Sequence, residues 1–173
     1  MIGATSTGLV DMWLYSDAGQ TKLGMPTGGC PQPSATTSGP FHLYPYTISV
    51  PFSGFTPSQI DQVLTSPNSL ESFFTYQSGS PNGILPAYDP STTPNQQGTL
   101  TNIQLSGNAG NPIAGAFSPD GSIFFTSTTG DDLIHMIDPS TLKDTGTLNP
   151  GLVNANQQPV AAQFIAVKSR STT

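Results

Sequence analysis

Charge is scarce in this 173-residue chain, because charged residues make up 8% of it and only four are Lys or Arg. Four basic side chains cannot neutralise a nucleic-acid backbone, so the sequence argues against nucleic-acid binding and against attraction to anionic membrane surfaces. No apolar run approaches the roughly 20 residues that cross a bilayer, so we expect no membrane insertion. Good helix formers are also rare, since Glu71 is the single glutamate. These shortages favour strands and turns over helices.

Cysteine and histidine are equally scarce. Cys30 is the single cysteine, so no intrachain disulfide can form. It lies in residues 25–42, where Gly, Pro, Ser and Thr predict a long exposed loop. We interpret Cys30 as an incidental thiol, with an intermolecular bond or attachment point as the alternative. The two histidines are His42 and His135, and we interpret His135, in an apolar strand, as a hydrogen-bonded packing residue.

Motifs that carry chemistry are missing as well. The chain has no nucleophile elbow, P-loop, dinucleotide fingerprint, haem-attachment motif or calcium-loop spacing. Asp131, Asp132 and Asp138 fall at turns, where aspartates normally bind nearby backbone N–H groups, although calcium binding is the alternative. The sequence therefore predicts no catalytic residue, no cofactor and no metal site.

Glycine and proline are plentiful, with 18 and 17 residues, and apolar clusters of strand length lie between them. The length suits one domain, so we expect an all-β domain over 1–173. The low charge density and the high content of Ser, Thr, Asn and Gln favour an exported bacterial protein, in an extracellular or periplasmic location, and a cytoplasmic location is the alternative. The first ten residues have neither a basic nor a long apolar region and predict no signal peptide.

The chain repeats itself. Residues 72–93, SFFTYQSGSPNGILPAYDPSTT, resemble residues 123–142, IFFTSTTGDDLIHMIDPSTL, with the Phe-Phe-Thr and Asp-Pro-Ser-Thr elements 51 and 49 positions apart. A second pair, NPIAGAFSPD at 111–120 and QPVAAQFIAV at 158–167, is 47 positions apart. A period near 50 with four short strands is typical of a β-propeller blade.

One unit can be divided into strands. The pattern predicts strands at Pro112–Phe117, Ile123–Ser127, Leu133–Ile137 and Thr145–Leu148. The first two are joined by Ser-Pro-Asp-Gly, in which the proline presets φ for a type I turn and Gly121 accepts a positive φ.

The residues FSPDG, IFFTS, DLIHMIDPSTLK and GTL resemble the YVTN-type repeats of bacterial β-propellers, which are similar to lactonase-like and quinoprotein-like propellers. The resemblance is good over 111–148, fair over 72–103 and poor elsewhere. It implies a blade and implies no activity.

The repeats predict about three blades, whereas closed rings typically have four to eight. Either the chain is part of a larger propeller or copies of it associate, and an open β-sandwich is the alternative fold. We expect a short helix capped by Thr56 or Ser58 in an insertion. The predicted units are a partial blade at 8–24, a blade at 44–103 with an insertion at 55–70, a blade at 111–148 and a closing strand at 158–168.

The sequence favours a non-enzymatic module for protein–protein assembly or surface scaffolding, whose partner is a second copy or a chain with the missing blades. The alternatives are a piece of a lactonase-like or quinoprotein-like enzyme and a carbohydrate-binding propeller. Aromatic side chains could contact a partner or a sugar, although in a propeller they more often wedge between blades. The candidate contact residues are Trp13, Tyr15, Tyr44 and Tyr46.

Overall fold

The computed structural model describes residues 2–5, 8–15, 44–90 and 98–168. All regular elements in these ranges are strands, which confirms the predicted all-β fold class. None of the described residues forms a helix long and apolar enough to span a membrane. The strands are β1 (Ile2–Thr5), β2 (Gly8–Tyr15), β3 (Tyr44–Pro51), β4 (Thr56–Thr65), β5 (Ser72–Ser80), β6 (Ile84–Asp89), β7 (Thr99–Gln104), β8 (Pro112–Phe117), β9 (Phe124–Thr128), β10 (Ile134–Asp138) and β11 (Lys143–Leu148).

The strands form three antiparallel sheets in which sequence neighbours pair. The N-terminal sheet has the order β1-β2-β3, the middle sheet β4-β5-β6-β7, and the C-terminal sheet β8-β9-β10-β11. Each connection is therefore a hairpin or a step to the next sheet, which is the connectivity of consecutive propeller blades.

The middle sheet is buried on both faces by the other two. Phe73 and Phe74 are both 0% exposed, and consecutive strand residues point to opposite faces. The Phe73 ring stacks on Phe124 of the C-terminal sheet, with centroids 4.5 Å apart and planes at 13°. Phe74 packs instead with Tyr88 and with Val50 of the N-terminal sheet. The three sheets are therefore stacked layers, with the middle sheet at the centre.

Equivalent strands lie over one another in the two four-stranded sheets. β4 and β5 contact β8, and β7 contacts β11. The first turns of the two sheets are also adjacent, because a Cβ placed on Gly121 would lie 3.2 Å from Pro67 Cδ. The two sheets are thus stacked in the same orientation, which is consistent with propeller blades and with the layers of a sandwich, and the described sheets form no closed ring.

The helix predicted at 55–70 is wrong, because this segment supplies β4 and the turn that follows it. Residues 66–71 (SPNSLE) repeat the turn of residues 118–123 (SPDGSI) in sequence and in hydrogen bonds. The Ser66 N–H donates to the Glu71 carbonyl at 2.8 Å, as the Ser118 N–H donates to the Ile123 carbonyl at 2.8 Å. The side-chain oxygen of Asn68 or Asp120, respectively, accepts from the serine hydroxyl.

The helix prediction failed for an identifiable reason. Ile60, Val63 and Leu64 have the i, i+3, i+4 spacing of a helical face. In the structure a β-bulge between Ile60 and Gln62 shifts the two-residue period of the strand by one position. The apolar spacing is therefore that of a bulged strand paired with β5.

The shared turn fixes the true repeat at 52 residues, from Ser66 to Ser118. Phe73 is thus equivalent to Phe125, and the match of Phe73 with Phe124 in the sequence comparison is one residue out of register. The correction agrees with the packing, since Phe73 faces the following sheet whereas Phe124 faces the preceding one.

The C-terminal sheet lies close to the predicted strand positions. β8 has the predicted bounds, and the other three strands shift by one or two residues. Gly121 has the predicted positive φ, 73°. Phe124 is 0% exposed, but Phe125 is only half-buried because this sheet is the last layer of the described stack.

Two predicted boundaries change. β3 pairs with β2 along its whole length, from Gly8 opposite Pro51 to Tyr15 opposite Tyr44, so it belongs to the N-terminal sheet and not to a blade at 44–103. The middle four-stranded sheet instead extends over 56–104. No strand forms in the predicted closing segment at 158–168, where a single bridge joins Val153 to Pro159. Residues 16–43, which include the whole of the predicted loop at 25–42, lie outside the described residues.

Candidate functional site

The four aromatic candidates occupy paired positions of the N-terminal sheet. Trp13 is opposite Tyr46, and Tyr15 is opposite Tyr44. Contact of these residues with a ligand or partner stays a prediction.

The most concentrated group of polar side chains surrounds His135 on β10. Its imidazole is 0% exposed and lies between two carboxylates. Nδ1 is 2.7 Å from Asp144 Oδ2, and Nε2 is 3.2 Å from Asp131 Oδ2. Asp131 Oδ1 also accepts hydrogen bonds from Thr128 Oγ1 at 2.5 Å and from the Leu133 N–H at 3.2 Å.

Asp144 connects this group to the middle sheet. Its Oδ2 accepts hydrogen bonds from the Ser106 N–H at 2.9 Å and from Ser106 Oγ at 2.7 Å. Burial raises the pKa of Asp144, but the hydrogen bonds from Ser106 and from His135, together with the His135 charge when it is protonated, outweigh burial and lower the pKa. Asp144 therefore remains ionised to a lower pH than a free carboxyl.

This arrangement is a clamp between sheets and not a catalytic triad. Ser106 donates to Asp144 and makes no hydrogen bond to His135, so the imidazole is not placed to take the serine proton. A substrate could not reach His135 at 0% exposure. The interpretation of His135 as a hydrogen-bonded packing residue is confirmed.

The turn aspartates also have structural roles. Asp138 accepts from the Ser140 N–H at 2.9 Å and from Ser140 Oγ at 2.7 Å, and Asp132 holds a positive φ of 58°. The predicted role of these aspartates in turns is confirmed for Asp131 and Asp138. Within the described ranges no group of three or more His, Cys, Asp or Glu could hold a metal ion.

Sequence reasoning missed Asp144, Ser106 and Thr128. Asp144 could have been found from strand geometry, because β11 places it opposite Ile137 and thus close to His135. Ser106 lies 38 residues earlier in the chain, so its contact with Asp144 depends on how the two sheets stack. No local sequence signal predicts that contact.

Two shallow grooves of about 420 Å³ lie between the middle and C-terminal sheets. One lies beside the clamp, between β7 and the start of β11. The other lies between the first turns and contains Glu71 and Asp138. Burial has the largest effect on the pKa of Glu71 and raises it. The hydrogen bond with Ser66 opposes this shift, and the nearby Asp89 charge adds to it, so the pKa is raised.

Exposed apolar side chains are concentrated after β10. Phe164 is 72% exposed, and three residues near the end of β11 and beyond it are about half exposed. These three are Leu148, Leu152 and Val153. In the described part of the chain the other exposed large apolar side chain is Leu70, which lies in the first turn of the middle sheet. Cys30 and His42 lie outside the described residues.

A scan of the chain against models of known protein families finds no match, and a search of curated proteins finds no relative with a significant score.

Proposed function

We propose that this chain is a non-enzymatic β-propeller module that acts in protein–protein assembly or surface scaffolding. The observation that carries the proposal is an unfinished stack of sheets: two four-stranded layers are packed in blade fashion, while the C-terminal segment exposes Phe164, Leu152 and Val153. Soluble monomers rarely expose contiguous apolar patches beyond a few hundred Å². A partner that continues the stack would remove these side chains from water.

The chemistry of the described residues supports the non-enzymatic part of the proposal. The buried imidazole of His135 is hydrogen-bonded to Asp131 and Asp144 of its own sheet, and Asp144 links that sheet to Ser106, which follows β7. The YVTN-type resemblance belongs to the proposal, since it rests on the repeat at 111–148 and implies structure without activity. An extracellular or periplasmic location is likewise proposed from the low charge of the chain.

The molar mass in solution tests the proposal. We expect light scattering at micromolar concentration to give a mass well above the 18.0 kDa of one chain. Replacing Phe164 by Ser should lower that mass, because Phe164 is 72% exposed and belongs to the segment proposed to associate.

Leu70→Ser is the matched control, since Leu70 is 53% exposed but lies in the first turn of the middle sheet. It should leave the mass unchanged. A monodisperse species near 18 kDa for the unmodified chain, with no binding of an apolar dye, would overturn the proposal.

A further inference from the structure

The N-terminal sheet corresponds to the second, third and fourth strands of a blade. Residues 4–7 (ATST) match residues 125–128 (FTST), which lie in β9, at three of four positions. β1 is therefore equivalent to β9, the second strand of its sheet. The packing agrees, because Ala4 faces the following sheet, as does Phe73, the equivalent of Phe125. Within the described residues, the N-terminal sheet has no equivalent of a first strand, and β1 forms its open edge.

A first-strand sequence occurs elsewhere in the chain without a sheet. Residues 158–164 (QPVAAQF) repeat residues 111–117 (NPIAGAF), which contain β8. In the C-terminal sheet Phe117 packs against Phe73 and Phe124, with ring centroids at 5.4 and 4.9 Å. Its counterpart Phe164 is 72% exposed, and residues 160–168 form no strand.

We propose that two copies of the chain exchange these strands: residues 159–164 of each copy pair antiparallel with β1 of the other. The inference rests on the proposed assembly function and names its partner as a second copy. Each exchanged strand supplies the first strand of a mixed blade whose other three strands are β1, β2 and β3.

The register follows from the complete sheet. There Ala116 is opposite Phe125, and Phe117 is opposite Phe124. The two sequence repeats transfer these pairs to Gln163 opposite Ala4 and Phe164 opposite Gly3. A Cβ placed on Gly3 has no neighbour within 4 Å, so the Phe164 ring has open space beside it. The same face would then pack on the half-buried Phe125 of the C-terminal sheet.

A second copy can bring residues 159–164 to β1, which the stack of one chain keeps apart. The N-terminal and C-terminal sheets pack on opposite faces of the middle sheet, so the middle sheet lies between the open edge of β1 and the sheet that residues 159–164 follow. Two copies related by a two-fold axis leave neither an extra strand nor an open edge. Three blades from each copy give a ring of six, within the usual four to eight.

Disulfide trapping between chains tests the exchange. All variants carry Cys30→Ser, so the introduced thiols are the only ones. A chain with Ala4→Cys is mixed with a differently tagged chain with Gln163→Cys, and the mixture is oxidised. Opposite residues of paired strands have Cβ atoms about 4.5–5.5 Å apart, close enough for a disulfide in suitable local geometry. The control replaces Ala4→Cys by Lys143→Cys, on β11 at the far edge of the C-terminal sheet.

We expect a heterodimer band from the Ala4–Gln163 mixture, at least tenfold stronger than from the Lys143–Gln163 mixture. A chain truncated after Gln157 should also fall from about 36 to about 16 kDa in light scattering, since the full 173 residues weigh 18.0 kDa. If the unmodified chain associates without the specific cross-link or without loss on truncation, strand exchange is overturned while the assembly function stands. An 18 kDa monomer would overturn both, and a cross-link within one Ala4→Cys, Gln163→Cys chain would show closure by a single copy.

Discussion

Gly121 holds the first turn of the C-terminal sheet against the equivalent turn of the middle sheet. Its φ of 73° is a conformation that L side chains rarely adopt, and Pro67 Cδ lies 3.2 Å from where its Cβ would be. We expect Gly121→Val to lower the free energy of unfolding in urea by about 1–3 kcal/mol from the backbone strain, with an additional loss from the contact.

Gly107→Val is the control, because Gly107 has a similar φ of 64° but its nearest atom is at an ordinary 3.7 Å. The difference between the two variants measures the contact between turns. Equal losses would contradict the stacking of the first turns.

Asp144 makes the clamp sensitive to acid. Its folded-state pKa is lowered, so it contributes stability that is fully present above the unfolded pKa of about 3.9 and is lost as the pH falls through the lower folded value. Asp144→Asn should cost about 1–3 kcal/mol at pH 7, and this difference from the unmodified chain should shrink below about pH 4.

Urea unfolding of both chains from pH 7 to pH 2.5 measures this difference. Asp61→Asn provides the comparison, since Asp61 is exposed and bonds to Gln77 on the neighbouring strand, away from the clamp. A constant cost for Asp144→Asn at every pH would show that the ionised carboxylate does not stabilise the clamp.

At the scale of the strand, burial on two faces distinguishes the middle sheet from the last one. Phe73→Ala and Phe74→Ala should each cost about 3–5 kcal/mol, because both rings are 0% exposed against different sheets. Phe125→Ala should cost clearly less at protein concentrations where the chain is monomeric, since its ring is half-buried. Urea unfolding of the three variants tests this order. If only one of the Phe73 and Phe74 variants is destabilised, the middle sheet has a solvent face and is not an inner layer.

The elements differ in how far the sequence predicts them. The strands of the C-terminal sheet follow from local signals, because turn residues separate short apolar runs and Gly121 permits a positive φ. β4 does not, since its bulge gives Ile60, Val63 and Leu64 a spacing that a helix shares. The clamp could be predicted only in part: His135 is recognisable as a packing residue, but its link through Asp144 to Ser106 depends on sheet stacking.

At the scale of the molecule, strand exchange between two copies would supply the strand that the N-terminal sheet lacks and would pair the segment at 159–164. The N-terminal sheet has an open edge at β1, and the C-terminal segment repeats the sequence of β8. The sheets between them are complete, and the blade-like contacts of β4 and β5 with β8 and of β7 with β11 give the direction in which further blades would follow.

Small-angle X-ray scattering of the unmodified chain at micromolar concentration tests the assembly of two copies, because one curve gives both the mass and the radius of gyration. We expect a mass of about 36 kDa, twice 18.0 kDa. We also expect a radius of gyration of at least about 20 Å, the value for a compact particle of two chains. A mass near 18 kDa with a radius of gyration of about 16 Å, the compact value for a single chain, would contradict it.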